Sequence, residues 1–169
     1  MEKWNETIGK KDIVYILGDF AFGSPDNVKR LLGKLNGQKF LIIGNHDKSS
    51  EHLEGYFKQI THIKCVTFKK SNYDFLDEDF QVCMCHYPFV TWPSKHYGCV
   101  EAHGHCHSNL DEYNEESTDL RVDVGIDGKL ADFGFVSLEK LYSYFKEKTN
   151  GEKFLHYAMR KKEEREMIV

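Results

Sequence analysis

Side chains that can bind a metal ion or transfer a proton are concentrated in four short clusters, each directly after an apolar run. The clusters are Gly18-Asp19, Gly44-Asn45-His46-Asp47, Cys85-His86-Tyr87-Pro88 and His103-Gly104-His105-Cys106-His107. A ligand set that mixes carboxylate, amide and imidazole groups favours Mn²⁺, Fe²⁺ or Zn²⁺ over Ca²⁺, which takes oxygen ligands only. The four clusters therefore predict a site for a divalent ion of this kind.

Each cluster also has an ordinary structural interpretation. Residues 44–47 could form a polar turn, and Asp19 could cap the segment that follows it. Cys83, Cys85 and Cys106 lie close to the histidines in sequence and could form a structural zinc site with them. No CxxC pair is present, however, and cysteines in strands usually serve as small buried hydrophobic residues. The odd number of cysteines, five, argues against a disulfide framework.

Two apolar runs must position the first two clusters. Ile13–Leu17 and Lys39–Ile43 each contain consecutive apolar residues, which is typical of strands covered on both faces. Between them, Ser24 as a cap and Pro25 at the first helical position predict a helix. The apolar face of that helix consists of Val28, Leu31, Leu32 and Leu35. Because strand, helix and strand in this spacing form a βαβ unit, we predict that the two strands are parallel.

The remaining elements are predicted from shorter patterns. Met1 to Ile8 is expected to be a helix closed by Gly9, and Ser50 to cap a short helix. Ser137 should cap a longer helix with Leu138, Leu141, Tyr142 and Phe145 on its buried face. Five strands are predicted after residue 60: 63–68, 73–76, 80–85, 99–102 and 120–125. Their short alternating pattern favours antiparallel pairing in this half of the chain.

Length and composition indicate an α/β protein with one domain, residues 1–169, in which residues 146–169 form a charged carboxy-terminal extension. The 23 basic and 27 acidic residues give a net charge of −4, which excludes an overall basic field for nucleic acid or anionic membranes. No window approaches the roughly 20 apolar residues of a membrane span, and no signal peptide is evident. We therefore expect a cytoplasmic location and no membrane partner.

The four clusters, in this order, resemble the motifs of the calcineurin-like metallophosphoesterase superfamily, whose pattern runs D-x-H, G-D, G-N-H-D/E, H and G-H-x-H. The resemblance covers about residues 10 to 140. Trp4–Thr7, Gly18–Gly23 and Ala102–His105 most resemble the small bacterial and phage branch. The resemblance implies a four-layer αββα sandwich with mixed sheets.

The resemblance also implies a role for each polar side chain. Five residues would bind metal: Asp19 bridging two ions, Asn45, His86 and His105 completing the second site, and His107 in the first. His46 would not bind metal but would stabilise or protonate the leaving oxygen, held in place by Asp47.

The chemistry implied is hydrolysis of phosphate monoesters or diesters by metal-bound hydroxide. Two divalent ions roughly 3.5 to 4 Å apart clamp the phosphate oxygens and lower the pKa of a bridging water. Mn²⁺ is the expected ion, with Fe²⁺ or Zn²⁺ as alternatives. Phosphomonoesters, cyclic nucleotides, dinucleotides and nucleic-acid ends all present the same phosphate to such a site.

One motif of the superfamily is absent from this sequence. No D-x-H precedes Asp19, and Asp12 is followed by Ile13 and Val14. We therefore expect a chain truncated at its amino terminus, without the first strand of the fold, that binds one ion tightly rather than two. A misassigned start, a cloned fragment or a degenerate gene would each produce this sequence. The alternative function is a non-catalytic binding module of the same fold, although the retained His46 favours an enzyme.

Overall fold

The computed structural model describes residues 1–47 and 50–166. The chain divides into two compact units, the first formed by residues 1–63 and the second beginning at Lys64. Both units combine strands and helices, so the predicted α/β class is confirmed, with two sheets and five helices as expected for the metallophosphoesterase fold. Within the described ranges, no helix is long and apolar enough to cross a membrane.

The first unit contains a parallel sheet of three strands. Its elements are α1 (Glu2–Thr7), β1 (Ile13–Ile16), α2 (Pro25–Leu32), β2 (Gln38–Ile42), a 3₁₀ turn at Ser50–Tyr56 and β3 (Gln59–Thr61). The strand order is β1-β2-β3, and both pairs are parallel. The predicted βαβ unit is therefore confirmed. The predicted cap at Ser50 depends on a side chain that lies outside the described part of the structure.

Helix α2 begins as its first two residues predict. The Ser24 hydroxyl accepts a hydrogen bond from the Asn27 N–H at 3.4 Å, and Pro25 occupies the first turn, where a missing N–H costs nothing. The apolar face of the helix packs into the core of the unit, which consists of Val28, Leu32, Leu41, Leu53 and Phe57. This core holds the ends of β1 and β2 side by side.

Helix α1 ends differently from the prediction. Ile8, with φ of −101°, already has an extended backbone, so Gly9 does not form the left-handed cap that we expected. The Gly9 N–H donates instead to a carboxylate oxygen of Asp12 at 2.8 Å. The Trp4 indole N–H donates to the Asn36 carbonyl at 3.0 Å, which fastens α1 beside the start of β2.

The second sheet has four strands in the order β4-β5-β6-β7. They are β4 (Ile63–Phe68), β5 (Phe80–Cys85), β6 (Val100–His103) and β7 (Arg121–Asp123), and the helices of this part of the chain are α3 (Asp111–Glu116), α4 (Leu138–Lys148) and α5 (Phe154–Glu166). Both β5/β6 and β6/β7 are parallel, so the expected antiparallel pairing is wrong for these pairs. Parallel neighbours need a long crossover, and residues 86–99 and 104–120 provide one in each case.

The strand predicted at residues 73–76 is also wrong. This segment is a turn in which the Leu76 N–H donates to the Tyr73 carbonyl at 3.1 Å. The rings of its alternating apolar residues pack against one another and against other elements: Tyr73 lies against Phe68, and Phe75 lies against Tyr142. The alternation therefore reflects ring packing on a turn rather than the two faces of a strand.

The carboxy-terminal segment contributes to the core of the second unit. The Ser137 hydroxyl accepts a hydrogen bond from the Lys140 N–H at 3.0 Å, so the predicted cap of α4 is confirmed. After the predicted turn at residues 150–151, α5 places Phe154 and Tyr157 among the buried residues. The last three residues of the predicted charged extension, 167–169, lie outside the described residues.

Candidate metal centre

The first unit presents a carboxylate at the end of β1. Gly18 and Asp19 follow the strand with φ of 85° and 50°, so the chain turns sharply through two left-handed residues. One carboxylate oxygen of Asp19, Oδ1, accepts a hydrogen bond from the His46 N–H at 2.8 Å. Because His46 belongs to the loop after β2, this bond joins the two polar clusters that the sequence placed at neighbouring strand ends.

Asp47 connects the same two loops through their backbone. Its Oδ2 atom accepts hydrogen bonds from the N–H groups of Asp19 at 2.8 Å and Gly44 at 2.9 Å, and Oδ1 accepts from Phe20 at 3.2 Å. The resemblance implied that Asp47 holds the His46 imidazole, whereas the structure shows its carboxylate binding backbone N–H groups. Asp47 therefore fixes the conformation of the loops that carry Asp19 and His46.

The His46 imidazole is exposed at the surface of the first unit. Its ring centroid lies 5.2 Å from that of Phe22, with an angle of 59° between the planes. Asn45, the preceding residue, is half-buried in the same turn. The loop after β2 therefore carries an amide and an imidazole, and its backbone is hydrogen-bonded to the carboxylate of Asp19.

The second unit brings two of the predicted histidines together. His86 directly follows β5 and is 2% exposed, while His105 lies in the loop after β6. Their ring centroids are 5.0 Å apart, and Tyr87 lies 4.6 Å from His105. The Gly104 N–H donates to the His86 carbonyl at 3.1 Å, which ties the two loops together. Imidazoles at this separation can bind one ion.

His107 is paired with a carboxylate that the sequence analysis missed. Its Nδ1 atom lies 2.6 Å from Oδ2 of Asp127. Metal-binding histidines commonly donate one ring N–H to a carboxylate, which orients the other nitrogen towards the ion. Asp127 follows Gly125 after β7, the same kind of strand-end position that identified the other clusters. Its position in the sequence could therefore have identified it as a candidate site residue.

Three of the five predicted ligands have a backbone conformation that is rare for residues other than glycine. Asp19, His105 and His107 have φ of 50°, 67° and 50°. Such conformations cost on the order of 1–3 kcal/mol each and are concentrated at functional sites, where the surrounding structure maintains them. Five other described residues outside the predicted ligand set, Ser94, Ser108, Asp132, Phe133 and Asn150, share this conformation, so it does not by itself distinguish the ligands from turn residues.

The cysteines have the properties of buried hydrophobic residues. Cys83 and Cys85 are buried, and burial raises the pKa of both thiols. Burial also raises the pKa of Cys106, which lies between the two loop histidines. The burial of Cys83 and Cys85 fits the interpretation of strand cysteines as small hydrophobic residues.

A chain of buried hydrogen bonds supports the loop that contains His105. The Arg121 Nε–H donates to Oδ1 of Asn114 at 2.9 Å, and the Asn114 amide donates to Nε2 of His103 at 3.1 Å. With Nε2 accepting, Nδ1 of His103 carries the proton and lies 2.8 Å from the Gly104 carbonyl. Burial lowers the pKa of His103, in agreement with a neutral ring. Local sequence patterns do not reveal this network, because its members come from three different elements, β6, α3 and β7.

Glu101 lies at the other end of this network and should make stability depend on pH. It is fully buried, and burial raises its pKa to about 8 from an ordinary value of 4.5. The Phe89 N–H donates to Oε1, but within the described residues Oε2 has no hydrogen-bond partner, and the Arg121 Nε atom is 3.9 Å away. The folded protein therefore keeps Glu101 protonated over a range in which the unfolded chain loses that proton.

Between these two pKa values the folded state binds more protons than the unfolded state, so stability falls as pH rises. We expect Glu101→Gln to remove this loss, which reaches at most about 1.4 kcal/mol per pH unit. Urea unfolding at pH 5, 6, 7 and 8 measures it: the gain from the variant should be small at pH 5 and largest at pH 8. The exposed Glu115→Gln variant is the control. Parallel stability curves for Glu101→Gln and the natural chain would contradict the prediction.

Comparison with known proteins identifies the family. The sequence profile of the calcineurin-like phosphoesterases matches residues 1–158. The Gene 66 protein of Mycobacterium phage L5 is 28% identical over 162 residues, which cover 82% of this chain and 75% of that protein. The uncharacterised protein MJ1445 of Methanocaldococcus jannaschii is 31% identical over 132 residues, covering 75% of this chain and 64% of that protein.

A solved structure resembles the fold. The crystal structure of a protein of unknown function from Aquifex aeolicus has a TM-score of 0.57 and 24% sequence identity, and the match covers 79% of this chain and 76% of that one. At this level of identity the likeness concerns the fold alone. The profile match, however, spans nearly the whole described chain. The chain therefore belongs to the calcineurin-like phosphoesterase family.

Proposed function

We propose that this chain is a metal-dependent phosphoesterase that hydrolyses phosphate monoesters or diesters. Membership of the family suggests a hydrolase of this class. The observation that carries the proposal is the pair of imidazoles in the second unit, because the rings of His86 and His105 lie 5.0 Å apart and both residues occupy positions of the family motifs.

The residues proposed to bind metal are Asp19 and Asn45 from the first unit and His86, His105 and His107 from the second. Their donor atoms suit a borderline divalent ion, for which we propose Mn²⁺, with Fe²⁺ or Zn²⁺ as alternatives. The pairing of His107 with Asp127 fits this set, because it directs Nε2 rather than Nδ1 towards an ion. When bound, such ions polarise phosphate oxygens and lower the pKa of water at the site.

Residues of the first unit would act on the leaving group. The exposed imidazole of His46 stands next to Asp19, whose carboxylate accepts the His46 backbone N–H. An imidazole can act as a general acid that transfers a proton to a departing alkoxide. The Asp47 carboxylate holds the two loops together by accepting three backbone hydrogen bonds. We therefore assign proton transfer to His46 and positioning to Asp47.

A non-catalytic metal-binding module is the second candidate. It is favoured by the absence of a D-x-H motif before Asp19, which leaves one of the two family metal sites with fewer ligands in this sequence. The two functions differ in one measurable respect, since both bind metal but only the enzyme turns over an ester.

Hydrolysis assays with added Mn²⁺ test the proposal. We expect the purified chain to hydrolyse 4-nitrophenyl phosphate or bis(4-nitrophenyl) phosphate only when Mn²⁺ is present, and Asp19→Asn to abolish the activity. Asparagine tolerates the left-handed backbone of this position, so the variant removes the charge without adding strain. Asp74→Asn, which changes an exposed carboxylate on a turn, is the control. Metal binding without hydrolysis of either ester would favour the binding module.

A further inference from the structure

A cavity of about 220 Å³ opens beside His46 in the first unit. Its walls are the rings of Phe20, Phe22 and Phe57, and its floor consists of core aliphatic side chains. His46 and Asp47 complete the lining. The cavity therefore extends from the His46 imidazole, to which we assign proton transfer, to the hydrophobic core of the first unit.

Phe22 differs from the other aromatic residues of the cavity because core packing does not explain its position. Phe20 is held by Trp4 and Phe57, with ring centroids 6.5 and 6.4 Å away. Phe22 is 75% exposed, and its ring centroid lies 5.2 Å from that of His46. The following residue, Gly23, has φ of 133°, a conformation that side chains rarely adopt. The loop thus holds an exposed ring at the mouth of the cavity.

The side chains that line the cavity indicate what it can bind. The carboxylate of Asp47 already accepts three backbone hydrogen bonds. The rings of Phe20, Phe22 and Phe57 favour a flat group that can stack on them.

We propose that this cavity binds an aromatic ring carried by the leaving group of the phosphate ester, stacked against Phe22. The inference rests on the proposed function, because it is the assignment of His46 that places the leaving oxygen at the mouth of the cavity. Pockets for drug-sized ligands occupy about 300–1,000 Å³. A cavity of about 220 Å³ is smaller, so it suits a single ring system such as an aryl group or a nucleobase.

Two esters with leaving groups of similar acidity separate ring binding from leaving-group chemistry. We choose 2-naphthyl phosphate and hexafluoroisopropyl phosphate, assayed with Mn²⁺. Stacking on one aromatic side chain corresponds to roughly 5- to 150-fold in binding. We therefore expect Phe22→Ala to raise KM for the naphthyl ester by roughly this factor and to leave the hexafluoroisopropyl ester within about twofold. Phe22→Tyr, which keeps the ring, should behave like the natural chain, as should Tyr97→Ala, which removes an exposed ring of the second unit.

A binding measurement keeps this inference separate from the proposed function. Calorimetry in the presence of Mn²⁺ compares 2-naphthylphosphonate with ethylphosphonate, neither of which can be hydrolysed. Tighter binding of the naphthyl compound that Phe22→Ala abolishes supports the cavity, even if no ester is turned over and the proposed function fails. Hydrolysis of both esters with equal KM, unchanged in Phe22→Ala, would overturn the inference while the phosphoesterase assignment stands.

Adenosine 5′-phosphate identifies the source of the ring. If Phe22→Ala weakens hydrolysis or binding of this nucleotide as much as it weakens the naphthyl compound, the occupant is a nucleobase. If only the naphthyl compound is affected, the cavity takes an aryl group attached directly to the leaving oxygen. Failure of Phe22→Ala to affect any of the aromatic ligands would overturn the inference.

Discussion

Replacing His46 by alanine should lower kcat by about 10²- to 10⁴-fold on an alkyl phosphate ester, the usual contribution of a positioned general acid. The same variant should have a much smaller effect on a 4-nitrophenyl ester, because 4-nitrophenolate departs without needing a proton. The physical reason is that charge develops on the leaving oxygen only in the transition state, so an imidazolium next to it stabilises the transition state more than the substrate.

The structure makes His46 suitable for this experiment. Its imidazole is exposed, so its removal leaves no cavity in the core, and the hydrogen bond that it makes to Asp19 comes from its backbone N–H. Metal binding should therefore survive the substitution. His52→Ala, at an exposed histidine in the 3₁₀ turn of the same unit, is the control. Equal loss on both kinds of ester together with loss of bound metal would show that His46 has a different role.

Removal of the His105 imidazole should abolish tight metal binding. We expect the unsubstituted chain to bind about one Mn²⁺ tightly, because the proposed set Asp19, Asn45, His86 and His105 would supply the four ligands of one site. Loss of a group that merely orients a ligand typically costs 10- to 100-fold in affinity, so loss of the ligand itself should cost more. His107→Ala should weaken this binding little, since His107 is assigned to the other ion. Titration calorimetry and elemental analysis measure both effects.

The backbone of His105 determines how this test must be designed. With φ of 67°, alanine at position 105 would add strain of its own, whereas glycine adopts this conformation freely. His105→Ala and His105→Gly should therefore lose metal alike, and a difference between them would measure strain rather than ligation. The triple variant Cys83→Ala, Cys85→Ala and Cys106→Ala should keep its metal. Two tight ions per chain, or loss of metal from the cysteine variant, would contradict the assigned ligand set.

Sequence alone determined the parts of this protein that depend on local pattern. The consecutive apolar residues of β1 and β2, and the Ser24-Pro25 start of α2, predicted a parallel βαβ unit that the structure confirms. Such patterns are informative because burial of a strand and capping of a helix depend on residues within a few positions. The order of the polar clusters similarly predicted the family, and the profile match confirms it.

Tertiary structure decided the features that join distant residues. The parallel direction of β5, β6 and β7 depends on the crossovers at residues 86–99 and 104–120, which the pattern within each short strand does not reveal. The turn at residues 73–76 alternates like a strand because its rings pack on Phe68 and Tyr142. The alternating pattern was also wrong about burial in β5, β6 and β7, which are covered on both faces, as parallel strands usually are.

The same distinction applies to the candidate site. Sequence identified Asp19, His46 and Asp47 as chemically capable, but only the structure shows that the Asp47 carboxylate binds the backbone N–H groups of residues 19, 20 and 44. His107 and Asp127 are 20 residues apart, and they meet because β7 returns the chain beside β6. Strand ends concentrate functional side chains in sequence, whereas their hydrogen bonds, and the cavity beside Phe22, arise from chain segments that meet only after folding.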